Sequence, residues 1–110
     1  DIDMAEQHIE NLDLDAMLKA ALDQNDYRLA IRYQYLKSLK RLSQSEVIEW
    51  HFDKTNSDYE DEIKEPLLKK GFKKKSYLND YIWYGEQRID AISYEKAIQS
   101  FTKLNNTIRQ

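Results

Sequence analysis

The stretch Asp26–Leu42 constrains this chain more than any other, because apolar residues crowd more than one side of a single helical pattern. Leu29, Ala30, Tyr33, Leu36 and Leu39 form one broad face, Ile31 and Tyr35 widen it, and neither Gly nor Pro interrupts the run. A helix apolar around so much of its circumference must be covered by several neighbours. The spacing therefore predicts a central helix with the rest of the chain packed around it. Asp26 is suited to cap its start, and Asn25 to take the left-handed position that ends a preceding helix. That preceding helix is marked by Leu14, Met17, Leu18, Ala21 and Leu22 at core-facing spacing, with Asp13 as its cap. A tight helical hairpin is the expected result.

The rest of the chain reads as helices with one exception. Ser43–Ser45 break the pattern, and Ile48, Trp50 and Phe52 then alternate with Glu49, His51 and Asp53 at the period of an extended strand. No partner strand is evident, so an extended segment or small hairpin near residues 46–54 is expected to lie on the helices. Thr55 and Asp58 have capping-box spacing, which predicts a third helix from Asn56 to about Glu65. Pro66 ends that helix or opens a fourth, which runs to Tyr84 on an inner face of Leu68, Phe72, Leu78, Tyr81 and Ile82, with Gly85 as its stop. A fifth starts at Asp90, with Ile89 and Tyr94 as a staple and a stripe of Tyr94, Ala97, Ile98, Phe101, Leu104 and Ile108. The expected fold is all-α, about five helices built on antiparallel helical hairpins.

Composition agrees. A chain of 110 residues with 41% hydrophobic and 34% charged residues, only 2 Gly and 1 Pro, is folded and loop-poor. Its length suits one domain, assigned to residues 13–110. Absence of cysteine excludes disulfides, thiol nucleophiles and thiolate zinc sites. No apolar run is long enough to span a membrane, and the acidic start is unlike a signal peptide. Residues 1–12 are expected to be a linker, following an excised membrane anchor. The net charge of -3 conceals alternation: residues 1–25 and 43–66 are acidic, 26–42 and 67–84 basic. Opposite blocks favour correct pairing of elements, although each exposed ion pair contributes only about 0 to 1 kcal/mol.

Each candidate site in the sequence also has a plainer structural role. Lys69, Lys70, Lys73, Lys74 and Lys75 have the charge to hold lipid or nucleic-acid phosphates, but a solvated face opposite the acidic third helix is preferred. Trp83 and Tyr84 beside that run invite base stacking, yet packing in the core or an interface explains them better. Nucleic acid is disfavoured: the chain is acidic, and a winged-helix reading with residues 46–54 as wing lacks the helix-turn-helix spacing. Arg32 must satisfy its guanidinium among apolar neighbours; an internal ion pair is preferred to an external anion contact. His8 and His51 lack any HExxH pattern and read as surface residues. Asp53, Thr55 and Ser57 imitate a calcium loop, but Asp58 stands where glycine is needed and Lys64 where the bidentate glutamate belongs. No catalytic residue, metal or cofactor site emerges. The exposed Glu49, Trp50 and His51 on the extended segment are left as partner contacts.

A Tyr-x-x-Ala-Ile core at Tyr27–Ile31 recurs at Tyr94–Ile98, close to twice the tetratricopeptide period of about 34 residues. The middle copy near Asp61 is absent, so a repeat array is rejected and only hairpin-style packing is retained. Asp26–Leu42, Ile48-Glu49-Trp50, Lys54-Thr55-Asn56-Ser57-Asp58-Tyr59 and Trp83-Tyr84-Gly85, read together, resemble the bacterial domain of unknown function 4129. That helical domain is also found C-terminal to transglutaminase-like domains, and the resemblance covers about residues 13–105. It implies a non-enzymatic module on the cytoplasmic side of the inner membrane, following transmembrane segments. The expected function is a protein-interaction or regulatory module; the alternative is anionic membrane or nucleic-acid binding through Lys69–Lys75.

Overall fold

Five capping side chains, each a carboxylate or hydroxyl, set where the helices begin, and one of them is answered by a reciprocal carboxylate. Asp13 accepts from the Ala16 amide at 3.0 Å and Asp26 from Leu29 at 3.1 Å. Thr55 and Asp58 form the reciprocal capping box, at 3.2 and 2.9 Å. Glu65 accepts from the amides of Leu67 and Leu68, and Asp90 from Ser93 at 2.8 Å. Each satisfies amides that the first helical turn leaves without a partner. The computed structural model describes residues 9–85 and 88–107, of which residues 10, 100 and 102–107 are described as backbone only. After a 3-10 turn at Ile9–Asn11 come α1 (Leu14–Asp23), α2 (Tyr27–Gln44), α3 (Asn56–Glu62), α4 (Pro66–Tyr84) and α5 (Ala91–Thr107). Among the described residues there is no strand, and the all-α expectation holds.

The helix α2 is central. Ala30 through Leu36, together with Ser38, Leu39 and Leu42, are buried, so α2 has no solvent face over its middle turns. It packs against α1, α4, α5 and the 3-10 turn. Ile9, within the stretch assigned to a linker, is fully buried, so the core extends into that stretch. Ile2, Ala5, His8 and Ile108 lie outside the described residues. Polar bonds join the same elements: Gln34 donates to the Tyr94 hydroxyl at 3.1 Å, and Lys40 to the Leu12 carbonyl at 2.9 Å. Lys37 meets Asp15 at 2.7 Å and Lys73 approaches Glu60 at 3.9 Å, which pairs basic with acidic blocks of the chain.

Two helix ends use the same device. Asn25 has φ 55° and Glu46 φ 60°. The Asp26 amide reaches Ala21 O and the Asn25 amide Leu22 O; likewise Val47 reaches Leu42 O and Glu46 reaches Ser43 O. These are Schellman closures in which a left-handed residue recovers carbonyls at the helix end. Asn tolerates that conformation; Glu is strained by its Cβ.

Three details differ from the sequence expectation. The helix α3 stops at Glu62 rather than Glu65, because Glu65 is extended and caps α4, with Pro66 at that helix's first turn. Gly85 ends α4 but with φ −76°, so its left-handed freedom is unused. The inner face of α4 is Leu68, Phe72, Lys75, Ser76, Asn79 and Ile82, whereas Tyr81 is exposed and Leu78 only half-buried. Continuing the Leu68–Phe72 register by three and four residues gives that inner set, with polar residues included.

Three substitutions have distinct expected outcomes in equilibrium denaturation. Phe72→Ala costs about 3 to 5 kcal/mol by leaving a cavity, while Tyr81→Ala stays within about 0.5 kcal/mol as an exposed position. Glu46→Gly stabilises by about 0.5 to 1 kcal/mol, since relief of the left-handed Cβ clash exceeds the added unfolded-chain entropy.

Candidate functional site: a cleft beside the 47–55 segment

The extended segment is held by side chains of α3 instead of a second strand. Glu62 accepts from the Glu49 amide at 2.7 Å, and Lys54 bridges the Glu49 carbonyl and Glu62 at 2.5 and 3.0 Å. The Tyr59 hydroxyl accepts from the His51 amide at 3.1 Å and donates to the His51 carbonyl at 2.7 Å. These bonds answer the problem of an unpaired strand, since each backbone group they engage would otherwise need solvent or a ladder partner. No hairpin forms. The chain turns at His51–Lys54, with the Lys54 amide bonded to the His51 carbonyl at 3.1 Å. The turn breaks the expected alternation: Ile48 is buried and Trp50 half-buried, but Phe52 is exposed.

Between this segment, α2 and the end of α4 lies a cleft of about 360 Å³. Arg32, Tyr35, Leu36 and Leu39 from α2 contribute to it, Trp50, His51, Phe52, Lys54 and Thr55 come from the segment, and Asn56, Tyr59, Asp80 and Tyr84 complete it. Arg32 is 7% exposed, and its guanidinium carbon lies 5.6 to 5.9 Å from the ring centroids of Tyr35, Trp83 and Tyr84. The expected surroundings were a carboxylate or carbonyl; the geometry adds an aromatic cage, in which a weakly hydrated planar cation is well accommodated.

The cleft wall is fixed by a polar chain across three helices. Tyr35 donates to the Asn56 side-chain oxygen, and the Asn56 amide donates to Asp80 at 2.9 Å. Burial raises the Tyr35 hydroxyl far above its ordinary value, so it remains a donor at any working pH. The end of α4, which supplies Tyr84 to the cleft, is held by Arg28, which donates to the Ile82 and Trp83 carbonyls and lies 4.1 Å over the Trp83 ring. Arg28 thereby caps the C-terminus of α4, where cations are favoured.

Of the residues singled out from the sequence, Arg32, Trp50, His51 and Tyr84 converge on this cleft. Others do not. Glu49 faces a separate groove with Glu62 and Lys64, and Trp83 is occupied by Arg28. The backbone of the segment is engaged at Glu49 and His51, so it offers no free strand edge there. The lysine run is not one patch: Lys75 is 9% exposed and Lys69 half-buried, leaving Lys70, Lys73 and Lys74 outward. His51 is an exposed residue whose Nδ1 meets Asp53 and whose ring stacks on Phe52 at 5.1 Å. Among the described residues no three His, Asp or Glu side chains converge to hold a metal ion, and no helix is long and apolar enough to cross a membrane.

The sequence reading missed Asn56, Tyr59, Asp80 and Arg28. Tyr59 was legible as an apolar position inside a capped helix; the long-range partners of Asn56 and Arg28 have no local signature. No protein-family model matches the chain, and no curated protein or solved structure matches it either.

The Glu62 clamp is acid-sensitive. Burial opposes its ionisation, but the Glu49 amide and Lys54 outweigh that and hold the carboxyl below its ordinary 4.5. A lowered folded pKa means its stabilisation is complete above about pH 4.5 and fades as pH falls through the folded value. Glu62→Gln is expected to cost about 1 kcal/mol at neutral pH and to remove part of the stability loss below pH 4.5, read from pH-dependent denaturation with Trp50 fluorescence as a local probe.

Proposed function

We propose that this chain is a non-catalytic helical module that recognises a protein partner through the cleft beside residues 47–55. The observation that carries this reading is the convergence there of Arg32, Trp50, His51 and Tyr84 with the exposed Phe52. Aromatic and arginine side chains around a small concavity are the usual anchors of protein interfaces, because they bury large areas with few rotors to order. A cleft of about 360 Å³ suits one or two side chains of an inserted segment, not a whole helix. Its walls are set by Tyr35–Asn56–Asp80 and by Arg28, so little ordering is required on binding.

The bonding of the cleft's polar groups supports a binding role over a catalytic one. His51 is engaged with Asp53 at the rim, and Tyr35 is a protonated donor held by Asn56. The module reading also agrees with the resemblance to the bacterial helical domain of unknown function 4129. On that reading the chain is the cytosolic C-terminal part of a membrane protein, and its partner is another protein at the same membrane face.

A photo-crosslinking residue placed at Phe52, with an exposed control at Ile92, tests this in cells expressing the full-length protein. A defined adduct from position 52, absent from 92 and lost when Tyr84→Ala is combined with it, is the expected result. Loss of an aromatic anchor at such a site weakens binding on the order of 30-fold, equivalent to about 2 kcal/mol. Equal labelling at both positions, or none at 52, would sink the cleft as a recognition site.

A further inference from the structure

The outward side of α4 carries a stripe that the cleft does not use. Leu67, Lys70, Lys74, Tyr77 and Tyr81 follow one another at alternating steps of three and four residues, so they lie on one face of the helix. That face is opposite Leu68, Phe72, Ser76, Asn79 and Ile82, which enter the core. Leu67 and Tyr77 are each 75% exposed and Tyr81 57%, all large side chains with no intramolecular role that requires their exposure. Lys73 flanks the stripe, also exposed.

We propose that this face docks on the surface of an anionic lipid bilayer. Charge complementarity, side-chain type and shape fit this face to such a surface. Among the described residues Lys70 and Lys74 have no carboxylate partner, and Lys73 has only Glu60 at 3.9 Å. The stripe itself contains no acidic residue; Glu65 and Asp80, at its borders, keep their charge but direct their oxygens to the first amides of α4 and to Asn56. The face is therefore cationic on a chain whose net charge is -3, which orients this side toward a negative surface. Tyrosine suits the headgroup layer, with its ring among the upper acyl carbons and its hydroxyl in water, while lysine reaches phosphate from the same depth.

Shape separates lipid from nucleic acid. Single-stranded nucleic acid is held in grooves where backbone and stacked bases are both enclosed. The stripe runs along a convex helix ridge, about 21 Å from Leu67 to Tyr81 at 1.5 Å per residue, and a fluid bilayer conforms to such a ridge. Only Leu67 is aliphatic, so insertion is shallow and electrostatics dominates. Binding must then require anionic lipid and fall steeply with salt.

The test is co-sedimentation of the protein with phosphatidylcholine vesicles, with and without phosphatidylserine, across a salt series. Association only with the phosphatidylserine vesicles, abolished at high salt, is expected. Lys70→Gln, Lys73→Gln and Lys74→Gln together weaken it on the order of a hundred-fold, each lysine being worth about five-fold. Tyr77→Ala with Tyr81→Ala keeps every charge and still weakens it several-fold. Lys19→Gln with Lys96→Gln, on exposed positions of other helices, leaves it unchanged. All these sites are exposed, and an unaltered far-ultraviolet dichroism spectrum confirms the fold of each variant. No association at low salt, equal association of the triple-lysine variant, or tighter binding to a single-stranded oligonucleotide than to the vesicles overturns the proposal. Phe52→Ala, at the cleft but off α4, leaves vesicle binding intact, so failure of either reading is separable from the other.

Discussion

The burial of α2 on all sides is the constraint on which the rest of this structure depends. A helix without a solvent face over its middle turns removes the usual place for polar residues, yet it carries Arg32, Gln34 and Ser38 into the interior. Such groups are costly unless they find partners. Gln34 finds the Tyr94 hydroxyl on α5, Ser38 lies over the Gln34 carbonyl, and Arg32 is ringed by aromatic faces contributed partly by α4. Each neighbour is thereby placed by more than apolar contact. Where the covering is incomplete, between α2, the 47–55 segment and the end of α4, the cleft remains.

Local signals were the most legible part of the sequence. Asp13, Asp26, Thr55 and Asp90 announced their helices because a cap and the amides it serves lie within three residues of each other. Asn25 announced the hairpin for the same reason. The face of α4 was misread where hydrophobicity was allowed to outrank register: Tyr81 was placed inside, whereas Asn79 and Ser76 occupy the buried positions. Period alone pointed to them, and their polarity concealed it.

The site was legible in part. Arg32, Trp50, His51 and Tyr84 were picked out for residue type, and three dimensions bring them together. What holds them was not legible, because a strand-like alternation says nothing about whether its backbone will meet a strand, water or side chains. Here Glu62 and Tyr59 supply partners from what in sequence looks like an acidic surface helix, and Lys54 of the segment itself joins them. The alternating charge blocks implied matching between elements without saying which, and Lys37–Asp15 and Lys73–Glu60 show which elements face one another.

The Arg28 cap on α4 carries a consequence for how this molecule comes apart. Its donors belong to the first turn of α2, yet they satisfy carbonyls in the last turn of α4, and Trp83 lies beneath the same guanidinium. A helix terminus usually frays independently, as the least costly local opening in a protein. The end of α4 is denied that freedom, since releasing it strips Arg28 of its acceptors and uncovers an indole. The start of α2 and the end of α4 therefore open as one cooperative unit, and the aromatic wall of the cleft inherits the rigidity of the core instead of the looseness of a chain terminus.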